Sequence, residues 1–247
     1  MHLPVPLIPT APAAPAPVPK SRMHADDRRR QLLRVAIDVF ARNGFSGTKT
    51  KDIATAAGVS EAILFRHFAT KEDLYHAILD MKEDTEGPAK KNRDLQALMD
   101  ARDDRSVFLT VAHQIGASFC DDPAFHRLMM YAELEGHLMA NLFRERFVLP
   151  SGHRLGKYIA QRQKEGAFRR CDPQVAVMFS AGSFVQYAMS RHIFGFKRPA
   201  RGDEAVFKEL VGLILAALQV PGAAHPSASE AAGPHPMRKQ KGVHAKA

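Results

Sequence analysis

The chain has few cysteines and no long apolar run, and both shortages exclude classes of protein. Only two of its 247 residues are cysteines, Cys120 and Cys171, too few for a disulfide framework or a cysteine-based zinc site. We expect both to be small buried side chains in a protein of a reducing compartment, the cytoplasm. A membrane-spanning helix needs about 20 mostly apolar residues, and polar side chains interrupt the uncharged stretch 173–190. No membrane association is predicted.

Signatures of catalysis are also missing from the sequence. It has no glycine-rich phosphate loop, no pair of histidines at metal-ligand spacing and no nucleophile elbow. His113, His126 and His137 lack the i, i+4 spacing and the carboxylate partner that a metal site would need. We therefore expect neither an enzyme, nor a cofactor, nor a bound metal.

The charge and the proline content are concentrated in the two ends. The net charge is +9, and more than half of it lies in residues 1–25 and 221–247. Residues 1–23 are predicted to be a disordered Pro/Ala-rich tail, and residues 221–247 a disordered basic tail. A basic balance favours anionic partners such as nucleic acid, although basic tails also occur as plain solvated ends.

The apolar periodicity between the tails is helical. Four residues follow the i, i+3, i+4, i+7 pattern of a first helix that starts near Asp26 and stops at Asn43–Gly44: Leu33, Ala36, Ile37 and Phe40. Later helix starts and stops are marked by Gly58, Ser60, Thr70, Asp122-Pro123, Gly166 and Asp172-Pro173. No strand pattern is convincing, so the predicted fold class is all-α. Gly87-Pro88 is the best candidate boundary, which gives domains at 24–87 and 88–220.

The segment 50–68 has the pattern of a helix-turn-helix. Such a motif needs a tight turn between two steeply crossing helices, with a small residue where the helices touch. Gly58 supplies the turn and Ala54 the small residue. The apolar positions around the turn are filled by Ile53, Ala57, Val59 and Leu64. We infer that the helix from Ser60 is a recognition helix that crosses the preceding one.

The outward side of that helix is suited to DNA. Ala62 is small enough for close approach to a groove, Ile63 could touch a thymine methyl, and Arg66 could reach a phosphate or a guanine edge. His67 could donate to a phosphate. The alternatives are edge packing for Ile63, a free surface charge for Arg66 and a helix cap for His67.

Helix starts beside the motif offer phosphate sites. Thr48, Lys49 and Thr50 stand at the start of the second helix, and Lys71 at the start of the fourth. A solvated charge is the alternative for both lysines. The full predicted DNA-binding set is Thr48, Lys49, Thr50, Ser60, Glu61, Ala62, Ile63, Phe65, Arg66, His67 and Lys71.

The stretch AIDVFARNGFSGTKTKDIATAAGVSEAILFRHFATKEDLYHAI, within Arg30 to Ile78, resembles the DNA-binding domain of the TetR family of bacterial transcriptional regulators. The Asp-Ile-Ala, Ala-Gly-Val-Ser and His-Phe sequences carry the resemblance, and Gly-Ala-Phe-Arg before Asp172-Pro173 resembles a pattern of its second domain. The resemblance implies a helix-turn-helix three-helix head on a larger helical ligand-binding and dimerisation domain. It further implies a repressor that leaves a pseudo-palindromic operator when a small molecule binds.

Three recognition-helix residues depart from the family pattern. The family usually has a tyrosine where Phe65 stands, and its hydroxyl typically reaches a phosphate. Ala62 and Ile63 replace the commoner glycine and threonine. The departures concern backbone contact and base preference rather than DNA binding itself.

The last two predicted helices, 173–194 and 203–219, each carry two apolar stripes. The stripes of the first contain Val177, Ala181, Phe184 and Ala188, and beside them Val175, Met178, Val185 and Met189. Those of the second contain Phe207, Leu210, Ile214 and Leu218, and beside them Val206, Leu213 and Ala217. One stripe suffices for a helix with one buried face. We expect the second stripes to form a homodimer seam; the alternative is a pair of fully buried helices within a monomer.

Methionines and aromatic residues in 88–220 suggest an adaptable pocket for a small-molecule effector. The candidate ligand-binding residues are Met130, Glu133, His137 and Met178. Ordinary core packing is the alternative for the methionines. A buried Glu133 would attract a cationic ligand, and a solvated face is the alternative for it.

These patterns favour a ligand-responsive transcriptional repressor. An architectural DNA-binding protein without an effector is the alternative of a different class. A helical enzyme or ligand carrier with a vestigial head is the third hypothesis.

Overall fold

A computed structural model describes residues 25–83 and 87–221. For residues 87–91 it describes the backbone only, and for the others the side chains as well. The helices are α1 (Ala25–Asn43), α2 (Thr50–Ala56), α3 (Glu61–His67), α4 (Lys71–Glu83), α5 (Gly87–Asp100), α6 (Asp104–Asp121), α7 (Pro123–Leu134), α8 (Leu138–Phe143), α9 (Leu149–Lys164), α10 (Pro173–His192) and α11 (Gly202–Leu218). A π-helical turn, Arg144–Val148, joins α8 to α9. The described ranges contain a single isolated β-bridge, Phe168 to Gln219, and no strand. The predicted all-α class is confirmed.

Side-chain caps fix the starts of α4, α7 and α10 at the positions predicted from the sequence. Thr70 and Asp73 cap α4 reciprocally, since the Thr70 N–H donates to Asp73 Oδ2 at 3.1 Å and the Asp73 N–H donates to Thr70 Oγ1 at 3.0 Å. Asp122 and Asp172 cap α7 and α10, each followed by proline at the first helical position. Such caps contribute about 1 kcal/mol each.

Two buried clusters organise the chain, and they do not follow chain order. The first joins α1–α4 to α7 and α8, with Phe40, Tyr75 and Leu128 among its fully buried side chains. The second joins α5, α6 and α9–α11 around residues such as Phe108 and Phe184. Apolar contacts therefore tie α7 and α8, which lie beyond residue 87, to the N-terminal head.

A buried ion pair braces the second cluster. Arg162 Nε and Nη2 donate to Asp104 Oδ1 and Oδ2 at 2.8 and 2.9 Å, and the Tyr158 hydroxyl donates to Asp104 Oδ1 at 2.5 Å. Each charge is thus partnered, as a buried ion requires. These bonds fix α6 against α9.

Helices α10 and α11 each leave one apolar side uncovered. On α10 the buried stripe is Ala176, Ser180, Phe184 and Ala188. The α10–α11 apolar face consists of the exposed Val175, Met178, Phe179 and Leu213. The alternative of helices fully buried within a monomer is therefore wrong for this chain.

Three further expectations concern the cysteines, the two tails and membrane association. Cys120 and Cys171 are both exposed, so the expectation of buried cysteines is wrong: Cys120 lies on the last turn of α6, and Cys171 lies in the connection between α9 and α10. Residues 1–23 and 222–247 lie outside the described residues, and with them the predictions for the two tails. No helix within 25–83 or 87–221 combines the length and hydropathy that crossing a membrane would require.

Candidate nucleic-acid interface and apolar cavity

The turn between α2 and α3 holds the recognition helix in place. Gly58 has φ +66°, a left-handed conformation that favours glycine, and the Val59 N–H donates to the Ala54 carbonyl at 3.0 Å. Ser60 Oγ accepts from the Ile63 N–H at 3.4 Å and caps α3. Leu64 is buried on the inner side, and its burial contributes about 2 kcal/mol. A helix of only 7 residues is thus fixed by packing and caps rather than by its own propensity.

Contacts from α1 hold the other end of α3. The Arg29 guanidinium lies 4.4 Å from the Phe68 ring centroid, and its Nη1 donates to the His67 carbonyl at 3.3 Å. A cation at a helix C-terminus is favoured by the helix dipole. Sequence reasoning missed Arg29, because its partners lie 38 residues further along the chain.

The outer side of α3 is open to solvent. We call Ala62, Phe65 and Arg66 the recognition face; all three are exposed, and the Phe65 side chain is 46% exposed. Ile63 and His67, four residues apart, are half-buried along the same edge of this face. Arg66 has no ion-pair partner among the described residues, so its guanidinium is available to an outside anion.

The helix starts show which predicted polar residues are available. Lys49 is exposed, and its backbone N–H donates to Asp52 Oδ2 at 3.0 Å. Its ammonium group has no ion-pair partner among the described residues. Thr50 Oγ1 donates to Glu61 Oε1 at 2.7 Å. That bond ties the start of α2 to the start of α3, so Thr50 and Glu61 orient the recognition face as a pair.

Two of the predicted phosphate ligands are turned inward. Thr48 is buried, and its hydroxyl donates to the Gly44 carbonyl at 2.7 Å. Lys71 Nζ donates to the carbonyls of Phe45 and Thr48 at 2.9 and 3.0 Å and lies 4.0 Å from the Phe45 ring centroid. The turn before α2 uses these donors, which disfavours both side chains as phosphate ligands; their role in DNA binding stays a prediction.

The same turn is held from α7 and α8. The Phe45 N–H donates to Glu135 Oε2 at 3.2 Å, and the Phe45 ring centroid lies 4.2 Å from that of His137. Burial lowers the pKa of His137, and burial raises the pKa of Tyr75 beside it. The Tyr75 hydroxyl is buried and has no hydrogen-bond partner among the described residues. Phe45 is therefore one of the points at which the head contacts the α7–α8 loop.

A cavity of about 340 Å³ lies among α5, α6, α7, α8, the π-helical turn, α9 and α10. Its apolar lining is Leu95, Val111, Ile115, Phe119, Phe143, Phe147, Val148, Gly152, Leu155, Val177, Ala181 and Val185. Its polar lining is Asn92, Gln114, Ser118, His126, Ser151 and Arg154. Val148 and Ser151 are exposed, so the cavity reaches solvent beside the π-helical turn.

None of the four predicted ligand-binding residues lines this cavity. Glu133 pairs with Arg144 on an exposed surface, and His137 Nδ1 accepts from the Met139 N–H as the cap of α8. Met178 belongs to the α10–α11 apolar face, and Met130 is half-buried elsewhere on α7. The cavity therefore does not support this set, because helical periodicity does not reveal which stripe borders an internal space; as ligand contacts the four residues stay a prediction.

The polar side chains of the cavity wall include two hydrogen-bonded pairs. Arg154 Nη1 donates to Asn92 Oδ1 at 2.5 Å. The His126 imidazole lies 3.7 Å from the Phe119 ring in a stacked arrangement, and its Nε2 hydrogen-bonds the Ser118 hydroxyl at 2.8 Å. Burial lowers the pKa of His126 to about 4. At neutral pH, Arg154 is thus the charged group of the wall and His126 is a neutral one.

Comparisons with known proteins agree with this arrangement. A family model described as bacterial regulatory proteins, tetR family, matches residues 32–78, from α1 into α4. The HTH-type transcriptional regulator RutR of Escherichia coli (strain K12) is 31% identical over 166 residues, which cover 65% of this chain and 74% of RutR. The HTH-type transcriptional activator FasR of Mycolicibacterium smegmatis is 41% identical over 64 residues, 26% of this chain and 29% of FasR. The chain spans about a third of the length of the first curated relatives that it matches.

The fold extends beyond the matched head. The crystal structure of the HlyIIR mutant protein with residues 169-186 substituted by a GSSGSSG linker has a TM-score of 0.56 at 16% identity, covering 81% of this chain and 99% of that one. The matched head, a helix-turn-helix with an exposed recognition helix, has the architecture by which transcriptional regulators bind DNA. The identity with RutR goes further: the chain belongs to the TetR family.

Proposed function

We propose that the chain is a homodimeric repressor that leaves a pseudo-palindromic operator when a small molecule occupies the cavity. The observation that carries the proposal is the position of α7. Its Phe125, Leu128 and Met129 pack in the cluster of the head, while His126 on the same helix lines the cavity. A ligand that displaces His126 would move α7, and the residues of α7 that pack in the head cluster would move with it.

Two aromatic residues reinforce this connection. Phe143 and Phe147 line the cavity and also pack against the head cluster. Phe45, held by Glu135 and His137, then joins the α7–α8 loop to the turn before α2. We propose that ligand binding shifts α7 and this turn together, which changes the spacing of two recognition helices in a dimer.

The proposed DNA contacts are the recognition face with its edges and the starts of α2 and α3. Arg66 contacts a base edge or phosphate, Lys49 contacts phosphate, and Ile63 and Phe65 make apolar contacts in the major groove. Ser60, Thr50, Glu61 and His67 orient α3. We assign the head to 24–87 and the ligand-binding and dimerisation domain to 88–220, between the tails 1–23 and 221–247.

The proposed dimer joins the α10–α11 apolar faces of two copies. Val175, Met178 and Phe179 form an uncharged exposed stripe on α10, with Leu213 exposed on α11. Exposed apolar patches of this kind mark protein interfaces. A two-fold dimer presents two recognition helices to half-sites spaced by about one or more helical turns.

The test is a gel-shift with the DNA upstream of the protein's own gene and with a scrambled duplex of equal length, at two salt concentrations. A repressor prefers its operator by about a thousandfold or more. Equal affinity for both duplexes indicates the architectural alternative, and an absence of salt-dependent DNA binding indicates an enzyme or carrier. A promoter reporter then separates repression from activation, which is the role that the name of FasR states.

A further inference from the structure

We propose that the effector is an amphipathic monocarboxylate, with an apolar body in the cavity and its carboxylate on the Arg154 guanidinium. The inference rests on the proposed function, since it names the class of ligand that would occupy the same cavity. It replaces the cationic ligand that a buried Glu133 would have favoured.

The charges of the wall point to an anion. Among the described residues, the cavity lining contains no aspartate or glutamate and one guanidinium, that of Arg154. A cationic ligand would lose its hydration without gaining a counter-charge, which is strongly unfavourable. A carboxylate would gain a charge-assisted and potentially bidentate hydrogen bond from Arg154.

The Arg154 guanidinium is held in position for such a ligand, and its charge is not paired with an acidic side chain among the described residues. Its described polar contact is the bond from Nη1 to Asn92 Oδ1, and it has no acidic partner among the described residues. The Asn92 amide carries no charge, so it orients the guanidinium without neutralising it. The remaining guanidinium N–H groups can donate hydrogen bonds to a carboxylate in this half-buried position.

The rest of the wall suits an uncharged apolar body. Twelve of the eighteen lining residues are apolar or glycine, and they come from five helices and the π-helical turn. The volume of about 340 Å³ lies at the small end of ligand pockets. His126 and Ser118 satisfy each other, so they need no ionic group from the ligand.

The test uses three probes with one chain and different head groups: decanoic acid, decan-1-ol and decylamine. Binding to the full chain without DNA is measured by calorimetry at pH 7. We expect decanoate to bind at least about tenfold more tightly than decanol, and decylamine to bind most weakly. Equal binding of decanoate and decanol, or a preference for decylamine, would overturn the proposal.

Arg154 variants locate the carboxylate. Arg154→Gln should lower decanoate affinity at least about tenfold while leaving decanol affinity unchanged, and Arg154→Lys should recover part of the loss. Arg127→Gln, an exposed arginine of α7 outside the cavity, is the matched control and should change neither. Undiminished decanoate preference in a folded Arg154→Gln, verified by circular dichroism, would refute the assignment.

A gel-shift with the same probes separates this inference from the proposed function. Arg154-dependent decanoate binding without operator release supports the ligand class and contradicts the repressor mechanism. Operator release by decylamine alone supports the mechanism and contradicts the ligand class.

Discussion

The recognition face and the α10–α11 apolar face are both exposed, yet they differ in charge. Arg66 lies on the recognition face, with Lys49 exposed at the start of the neighbouring α2. The exposed stripe of α10 carries no charged side chain between Pro173 and Ser190. Both faces expose a phenylalanine to almost the same extent, 46% for Phe65 and 48% for Phe179.

Exposed aromatic area alone therefore does not distinguish a DNA contact from a protein contact. Charge does, because phosphates must be neutralised whereas the centre of a protein interface excludes charge. On this reading Phe65 meets DNA and Phe179 meets a second copy of the chain. Substitutions that exchange the characters of the two faces test the comparison.

The largest effect is expected from Phe179→Asp. An unpaired carboxylate in the seam costs several kcal/mol, so we expect a monomer and an operator affinity lower by about 100-fold or more. Sedimentation velocity and a gel-shift measure the two effects. Leu134→Asp, an equally drastic change at an 84% exposed leucine of α7, is the control. A Phe179→Asp dimer with normal DNA affinity would show that the seam lies elsewhere.

Arg66→Ala should have the next largest effect. Loss of a base-edge contact costs about 1–3 kcal/mol and relaxes the preference at one base pair. Competition gel-shifts against operators changed at single positions measure both quantities, with Arg127→Ala as control. A uniform loss across all sequences would reduce Arg66 to a backbone contact.

Lys49→Ala and Lys71→Ala should separate an outward lysine from an inward one. Lys49→Ala should reduce the salt dependence of DNA binding by about one unit. Lys71→Ala should leave that slope unchanged and lower the free energy of unfolding by about 1–2 kcal/mol, because the carbonyls of Phe45 and Thr48 lose their donor. Salt titrations and urea unfolding measure the pair. A reduced slope with unchanged stability in Lys71→Ala would restore Lys71 as a phosphate ligand.

Phe65→Tyr is the mildest change. The added hydroxyl can donate to a phosphate, for a gain of about 1 kcal/mol, or about fivefold in operator affinity. The gel-shift uses Phe194→Tyr, a 49% exposed phenylalanine elsewhere, as control. No gain, or a loss, would indicate that Phe65 contacts a sugar or base rather than lying beside a phosphate.

The features that could be predicted from the sequence are those decided by neighbours in the chain. Gly58 and Ser60 define the turn within three residues, and Thr70 with Asp73 forms its cap within one helical turn. Lys71 has the same kind of local context, but its partners lie 26 and 23 residues away. The local sequence pattern therefore predicted the position of its backbone at a helix start, but it did not predict the inward contacts of its side chain.

The cavity could not be predicted for the same reason. Val177 and Met178 are adjacent, yet Val177 lines the cavity and Met178 is 74% exposed. A difference of one position rotates a side chain by more than a quarter of a helical turn. Which side borders a space depends on how seven segments meet, and Arg154 carries no sequence signal of its own.

The double role of α7 has a thermodynamic consequence. If occupancy of the cavity weakens operator binding by some factor, operator DNA must weaken ligand binding by the same factor, because the coupling free energy is shared. The ligand concentration that half-saturates the free dimer would then be lower than the one that half-empties the operator. Helix α7 borders the cavity through His126 and packs in the cluster that contains Phe40. It would thus set the ligand concentration at which a gene responds, as well as the direction of the response.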